Sequence, residues 1–321
     1  MYLLPTVLMK RAIFRLLYFF FKLIGLIPMR LRDFGFSENT RPHFCVSTLG
    51  SIDNVVKVIG FSVIGYYSVM SIFDSDYPNK SATTEKIEIA KASLGVIIVL
   101  VLWISIACKQ KELVLLANKF VDIDHDLARF KFIDNSQTGA PEFLWLLFIN
   151  LIIWSTLLIT DSVGFDGVPA LSYVSSIGPI FVFNWFLFLY TVNMISLRMK
   201  CQMINNGLSR LSLKTVSLME DQSVTSIDKL MVYKFLVLKN MRMVIYEIMI
   251  GVGEYYSFPV LLIITELCGS IVYEAYYMSM PVMVPSVPLE PEVVFNSFCY
   301  LTILSFPIII VTLNIGRAQR E

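Results

Sequence analysis

Six stretches of this chain, 55–73, 93–108, 143–160, 177–197, 259–278 and 293–313, run for sixteen to twenty-one residues with at most two charged side chains each. A helix rises about 1.5 Å per residue, so runs of that length match the ~30 Å hydrocarbon core of a bilayer. Within hydrocarbon every backbone N–H and C=O must be satisfied inside the segment, which leaves the helix as the structure such runs can take. The expected fold is therefore all-α, a polytopic helical membrane protein with about six spans. Composition agrees, because only 16% of the residues are charged, against about 25% in soluble domains. The second run can begin earlier, near Ile89, if Lys91 reaches back to the interface with its ammonium group.

Orientation follows from lysine and arginine, which accumulate on the cytosolic side of a membrane protein. Seven precede the first run, three lie between the first and second, and five between the second and third. The next connection, 161–176, has none and carries Asp161 and Asp166. Eight follow the fourth run, none lies in 279–292, and Arg317 and Arg320 close the sequence. This alternation predicts a cytosolic N-terminus. The 321 residues then read as one membrane domain. Residues 1–54 form a cytosolic region with an interfacial helix, 55–197 hold four spans, and 198–257 form a cytosolic helical loop. Residues 258–313 hold two more spans, and 314–321 are a cytosolic tail. Asn79-Lys80-Ser81 is an N-glycosylation acceptor in a connection this orientation places outside.

Two parts outside the runs have their own character. Residues 12–29 are strongly apolar, but Arg15 and Lys22 lie two turns apart on one helical face. That pattern predicts an amphipathic helix in the inner interface, ending near Gly25 and Pro28. Those two basic residues, with no small-residue cleavage site after them, argue against a cleaved signal. In 227–256, Leu230, Met231, Val237, Met241, Val244, Ile245 and Ile248 recur at helical spacing between lysines and arginines. The expectation is a cytosolic helix continuous with the fifth span, its apolar stripe packed on other cytosolic helices or on neighbouring subunits.

Catalytic starting points are missing. His43 and His125 are the two histidines, and no zinc-protease, phosphate-loop, dinucleotide or nucleophile-elbow pattern occurs. Asp122-Ile-Asp124-His-Asp126 begins like a calcium loop, but Leu127 and Ile133 stand where glycine and glutamate are required. The five cysteines, Cys45, Cys108, Cys201, Cys268 and Cys299, lack metal-ligand spacing. A net charge of +1 favours no nucleic acid. No enzyme activity, metal or cofactor is expected.

Candidate binding residues lie inside the spans. Glu266 falls near the middle of the fifth and Glu274 toward its outer end, and an ionisable group in hydrocarbon marks function by default. Aromatic side chains gather in the outer halves of the spans, among them Tyr66, Tyr67, Trp154, Phe181, Trp185, Tyr273, Tyr276, Tyr277 and Phe298. The ligand-binding set expected from these is Trp154, Trp185, Glu266, Tyr273, Glu274 and Tyr277, because a ring-lined pocket with a few polar groups suits a small organic molecule. The remaining rings fit an interfacial belt. Asn184 and Asn193 read as bonds between helices.

The cytosolic N-terminus, short outer connections, long helical second cytosolic loop and early Leu23-Ile24-Gly25-Leu26-Ile27-Pro28 resemble the insect gustatory receptor family. So does 230–250 leading into the fifth span. The resemblance implies a seven-span chemoreceptor of the plasma membrane of sensory neurons. It also implies a ligand-gated cation channel, assembled as a homo- or hetero-tetramer with related subunits, with an outward-facing pocket for small tastants. The family's Thr-Tyr…Gln-Phe signature of the seventh span has no counterpart, and the sequence closes at Arg317-Ala-Gln-Arg-Glu321. The resemblance therefore implies a receptor without its last segment, one that does not conduct alone. Two rivals fit less well. A G-protein-coupled receptor needs an external N-terminus, and a secondary transporter favours paired halves with matching helix breaks, which Gly178-Pro179 and Pro307 do not supply.

Overall fold

The computed structural model of the chain describes residues 3–32, 42–74, 82–129, 140–164, 172–220, 228–283 and 291–320. The elements follow in the order α1 (Leu3–Ile24), β1 (Arg30–Arg32), β2 (His43–Cys45), α2 (Thr48–Asp74), α3 (Ala82–Cys108) and α4 (Gln110–Arg129). Then come α5 (Ala140–Gly164), α6 (Ser172–Glu220), α7 (Asp228–Met283) and α8 (Pro291–Arg320). Among the described residues six helices, α2, α3, α5, α6, α7 and α8, are long and apolar enough to cross a membrane. The chain is a multi-pass membrane protein built of helices. Among the described residues the one departure from helix is a short antiparallel ribbon that pairs Arg30 with Cys45 and Arg32 with His43.

Helix α6 is the central element. Of its spanning window 61% is buried, against 17–44% in the other five, and it packs on α2, α3, α7 and α8. Phe183, Phe186 and Leu187 of α6 form the middle of the core with Val99 and Leu102 of α3, Ile263 and Leu267 of α7, and Ile303 and Leu304 of α8. The outward faces are equally apolar. Val55, Val56, Ile59 and Val63 of α2 and Trp145, Phe148, Leu151 and Ile152 of α5 are exposed, as hydrocarbon rather than water requires.

Helices α6 and α7 have 49 and 56 residues, roughly 74 and 84 Å at 1.5 Å per residue, more than twice the bilayer core. The C-terminal part of α6 and the N-terminal part of α7, joined by a short connection, therefore project from one end of the bundle together with α4. This is the end that the lysine- and arginine-rich segments share. The apolar stripe of α7 is covered there within the chain: Leu238, Met241, Ile245 and Ile248 are buried, and α7 packs on α4 and α6. Lys119 of α4 bridges to Glu247 of α7 at 3.3 Å. The calcium-like Asp124 is instead an ion-pair partner of buried Lys200 of α6. Glu142, at the start of α5, takes both Arg198 of α6 and Arg317 of α8.

The N-terminal helix stops where expected. Gly25 adopts φ 85°, with Gly25 N–H donating to the Lys22 carbonyl at 3.0 Å and Leu26 N–H to the Phe21 carbonyl at 2.9 Å. This is a Schellman closure, in which glycine supplies the left-handed residue at no steric cost. Leu26 and Phe21, both buried, make the apolar contact that accompanies it. Neighbours then lock the turn: Trp103 Nε1 donates to the Ile24 carbonyl at 2.9 Å and Asn54 Nδ2 to the Gly25 carbonyl at 3.1 Å. Gln110, buried between α3 and α4, donates to the carbonyls of Pro28 (2.8 Å) and Ser47 (3.2 Å). Asn118 of α4 brackets the Phe44 backbone with two bonds of 2.9 Å. These contacts fix α1 and the ribbon against the base of the bundle.

Candidate functional site

Far from that base, α3, α6 and α7 enclose a charged cluster inside the bundle. Glu266, Ser270, Tyr273, Glu274 and Tyr277 recur every three or four residues on α7 and so share one face; all five are buried. Lys91 of α3 meets this face. Its Nζ donates to Glu274 Oε1 at 2.8 Å and lies 4.9 Å from the centre of the Tyr273 ring. Glu266 accepts a bond of 3.3 Å from the Ser270 hydroxyl. Tyr273 and Tyr277, with centroids 6.2 Å apart, are buried apart from the main core.

The helices can come this close because Gly95 stands one turn below Lys91. A Cβ there would lie 3.0 and 3.2 Å from the ring carbons of Pro179 on α6. On the other side Ser68 of α2 donates to the Ser175 hydroxyl of α6 at 2.8 Å. The space left among Glu88, Lys91, Ser175, Pro179, Glu266 and Ser270 is about 10 Å³, room for about one water molecule. The site is therefore closed. Anything larger than a water molecule would fit here only with the lysine–glutamate pair displaced or α3 parted from α7.

Of the six side chains expected from sequence, Glu266, Tyr273, Glu274 and Tyr277 come together in this cluster. Trp154 and Trp185 are buried elsewhere, on either side of Phe181, with ring centroids 5.1 and 6.1 Å from it. Trp185 also packs on Phe20 of α1 at 4.5 Å. The indole N–H groups of both tryptophans have no hydrogen-bond partner among the described residues. Tyr66, Tyr67, Tyr276 and Phe298 face outward. Asn193 donates to the Tyr256 hydroxyl at 3.0 Å, a bond between helices as expected. Asn79 lies outside the described residues.

Two polar residues were missed. Lys91 does not stand alone at a helix end; it sits nine positions into α3 and pairs with Glu274. Asp161 belongs not to a connection but to α5, buried. There it accepts bonds from Tyr300 (3.1 Å) and Asn296 (3.4 Å) of α8.

At the opposite end of the bundle a roomier cavity of about 490 Å³ lies among α1, α4, α5, α6 and α7. Its walls are mainly apolar and it holds no charged cluster comparable to that around Lys91.

The sequence profile of the 7tm Chemosensory receptor family matches residues 14–320, from the middle of α1 to the end of α8. No curated protein matches the chain.

Proposed function

The chain belongs to the 7tm chemosensory receptor family, and from that premise we propose that it is a gustatory-type receptor, a subunit of a ligand-gated cation channel in the plasma membrane. Its ligand is a small tastant, bound at the cluster of Lys91, Glu266, Tyr273, Glu274 and Tyr277. The α1 and α4 end faces the cytosol and the cluster faces outward, in line with the lysine and arginine distribution.

The observation that carries this reading is the buried Lys91–Glu274 pair beneath Tyr273. Two charges in the membrane are costly and are kept where they serve a pathway or a ligand. A ligand with hydrogen-bonding groups can take over both partners: acceptors for the ammonium, donors for the carboxylate, and a face for the tyrosine ring. By replacing the pair it stabilises the arrangement in which α3 and α7 are parted, and so shifts a population rather than forcing a change. The unpartnered N–H groups of Trp154 and Trp185 are secondary donors once the helices part. Related subunits complete the assembly, as a homo- or hetero-tetramer.

The test separates binding from conduction. Purified protein is screened for ligand-induced thermal stabilisation with a panel of sugars and bitter compounds. Each stabilising compound is then applied to the variant with both Lys91→Met and Glu274→Met. The stabilisation should be lost in that variant, and the same compounds should evoke cation current when the chain is co-expressed with related subunits. Stabilisation that persists in the folded double variant sinks this site.

A further inference from the structure

The 490 Å³ cavity at the basic end is within the ~300–1,000 Å³ range of small-molecule sites. Leu17 and Phe21 of α1, Leu113, Leu116 and Phe120 of α4, and Val192 of α6 are among the apolar side chains of its wall. Two of its polar groups are already engaged. Asn193 is bonded to Tyr256, and Asp124 is paired with Lys200. Apolar cavities of roughly 150 Å³ stay dry and take up a benzene-sized guest; this one is about three times larger. The hydrogen bonds of Gln110, Asn118 and Trp103 anchor the end of α1 and the ribbon beside it, which opposes its collapse.

The surroundings identify the guest. Phe14 and Leu144 line the cavity and are also exposed, so the mouth runs between α1 and α5. Beside it the outer face of α1 carries Leu16, Phe19 and Leu23, exposed by 71%, 65% and 75%. Three large apolar side chains so exposed on one helix belong against hydrocarbon, not water. The mouth therefore opens into the bilayer at the depth of α1, where acyl chains are the most abundant molecules.

We propose that this cavity is a lipid site: it takes one acyl chain of a phospholipid from the leaflet in which α1 lies. The polar end of that lipid points toward the Asp124–Lys200 pair. The chain completes the packing of α1 on α4 and α6, so the N-terminal helix is docked partly through lipid.

The test uses the full chain in nanodiscs of phosphatidylcholine that include a phosphatidylcholine with a diazirine at the end of one acyl chain. After irradiation, peptide mapping should find the label within 113–121 and 189–196, as well as on the outward face of α5 at 148–152. Ala117→Phe, or Ser196→Leu if the first does not fold, fills the cavity. Either should abolish labelling of the first two segments and leave 148–152 labelled. Label confined to 148–152 in the unaltered protein would overturn the proposal. So would cavity labelling unchanged in a folded filling variant, or cross-links between two copies through the same residues.

Discussion

Removing one partner of the Lys91–Glu274 pair tests the site at its most charged point. At the 2.8 Å separation and an effective dielectric of about 20, the gross attraction is about 6 kcal/mol. Desolvation of both groups offsets most of that, so the pair contributes little net stability, yet its loss is asymmetric. The two side chains are only 15% and 9% exposed, so whichever is orphaned stays away from water. Lys91→Met and Glu274→Met should each therefore cost about 3–5 kcal/mol. The double variant puts two apolar side chains of similar length in contact and should lie within about 1–2 kcal/mol of the unaltered protein. The Tyr273 ring adds a cation–π contact worth about 0.5–2 kcal/mol, so Tyr273→Leu should cost more in the presence of Lys91 than in the double variant. Equilibrium unfolding in mixed micelles, followed by tryptophan fluorescence, measures all four corners of the cycle. Additive single effects in the double variant would refute the reasoning, because they would mean that the two charges do not sense each other.

Three further outcomes follow from the same geometry. Gly25→Ala should destabilise the chain by about 1–3 kcal/mol, since the residue has φ 85° and a Cβ would meet Asn54 Oδ1 at 3.0 Å and Trp103 Nε1 at 3.1 Å; thermal unfolding checks it. Met241→Asp places a charge in the buried α7 stripe and should cost upwards of ~3 kcal/mol even in isolated chains. Tyr246→Asp on the exposed face should stay within about 0.5 kcal/mol, and equal effects would refute the packing within the chain. A glycosylation acceptor inserted between α7 and α8 should be modified in microsomes and one between α6 and α7 should not. The reverse pattern would overturn the orientation and favour a G-protein-coupled topology.

The spans were legible because hydrocarbon imposes a local rule on each: about twenty residues, nearly uncharged, helical by necessity. Their continuations were less so. Asn205, Asn206 and Gly207 interrupt the apolar pattern after the fourth run, yet α6 continues to Glu220. Helix there is set by packing against neighbours such as α7 rather than by propensity. The α7 stripe was visible as a stripe, but which surface covers it depends on how α4 and α6 fold back, and that is tertiary information.

The site divides along the same line. Glu266, Tyr273, Glu274 and Tyr277 belong to one helix, so spacing alone puts them on one face. Sequence leaves Lys91 out of the set because, counted from a run beginning at residue 93, it looks like an interfacial cation with no partner. Counted from the true ends, Lys91 lies nine residues from the start of α3 and Glu274 nine from the end of α7, about 14 Å in each case at 1.5 Å per residue. Opposite charges at equal depth from the same end of the bundle are a signal, but one that exists only once the helix ends are known. Trp154 and Trp185 show the complementary limit. Their depth suited the pocket, yet rotation about the helix axis turns Trp185 toward Phe20 of α1 and away from Lys91. Residue counting fixes height along a helix, whereas azimuth is fixed by which partners pack there. A set of candidate side chains on one helix is therefore sound from sequence, and a set spread over several helices waits on the packing.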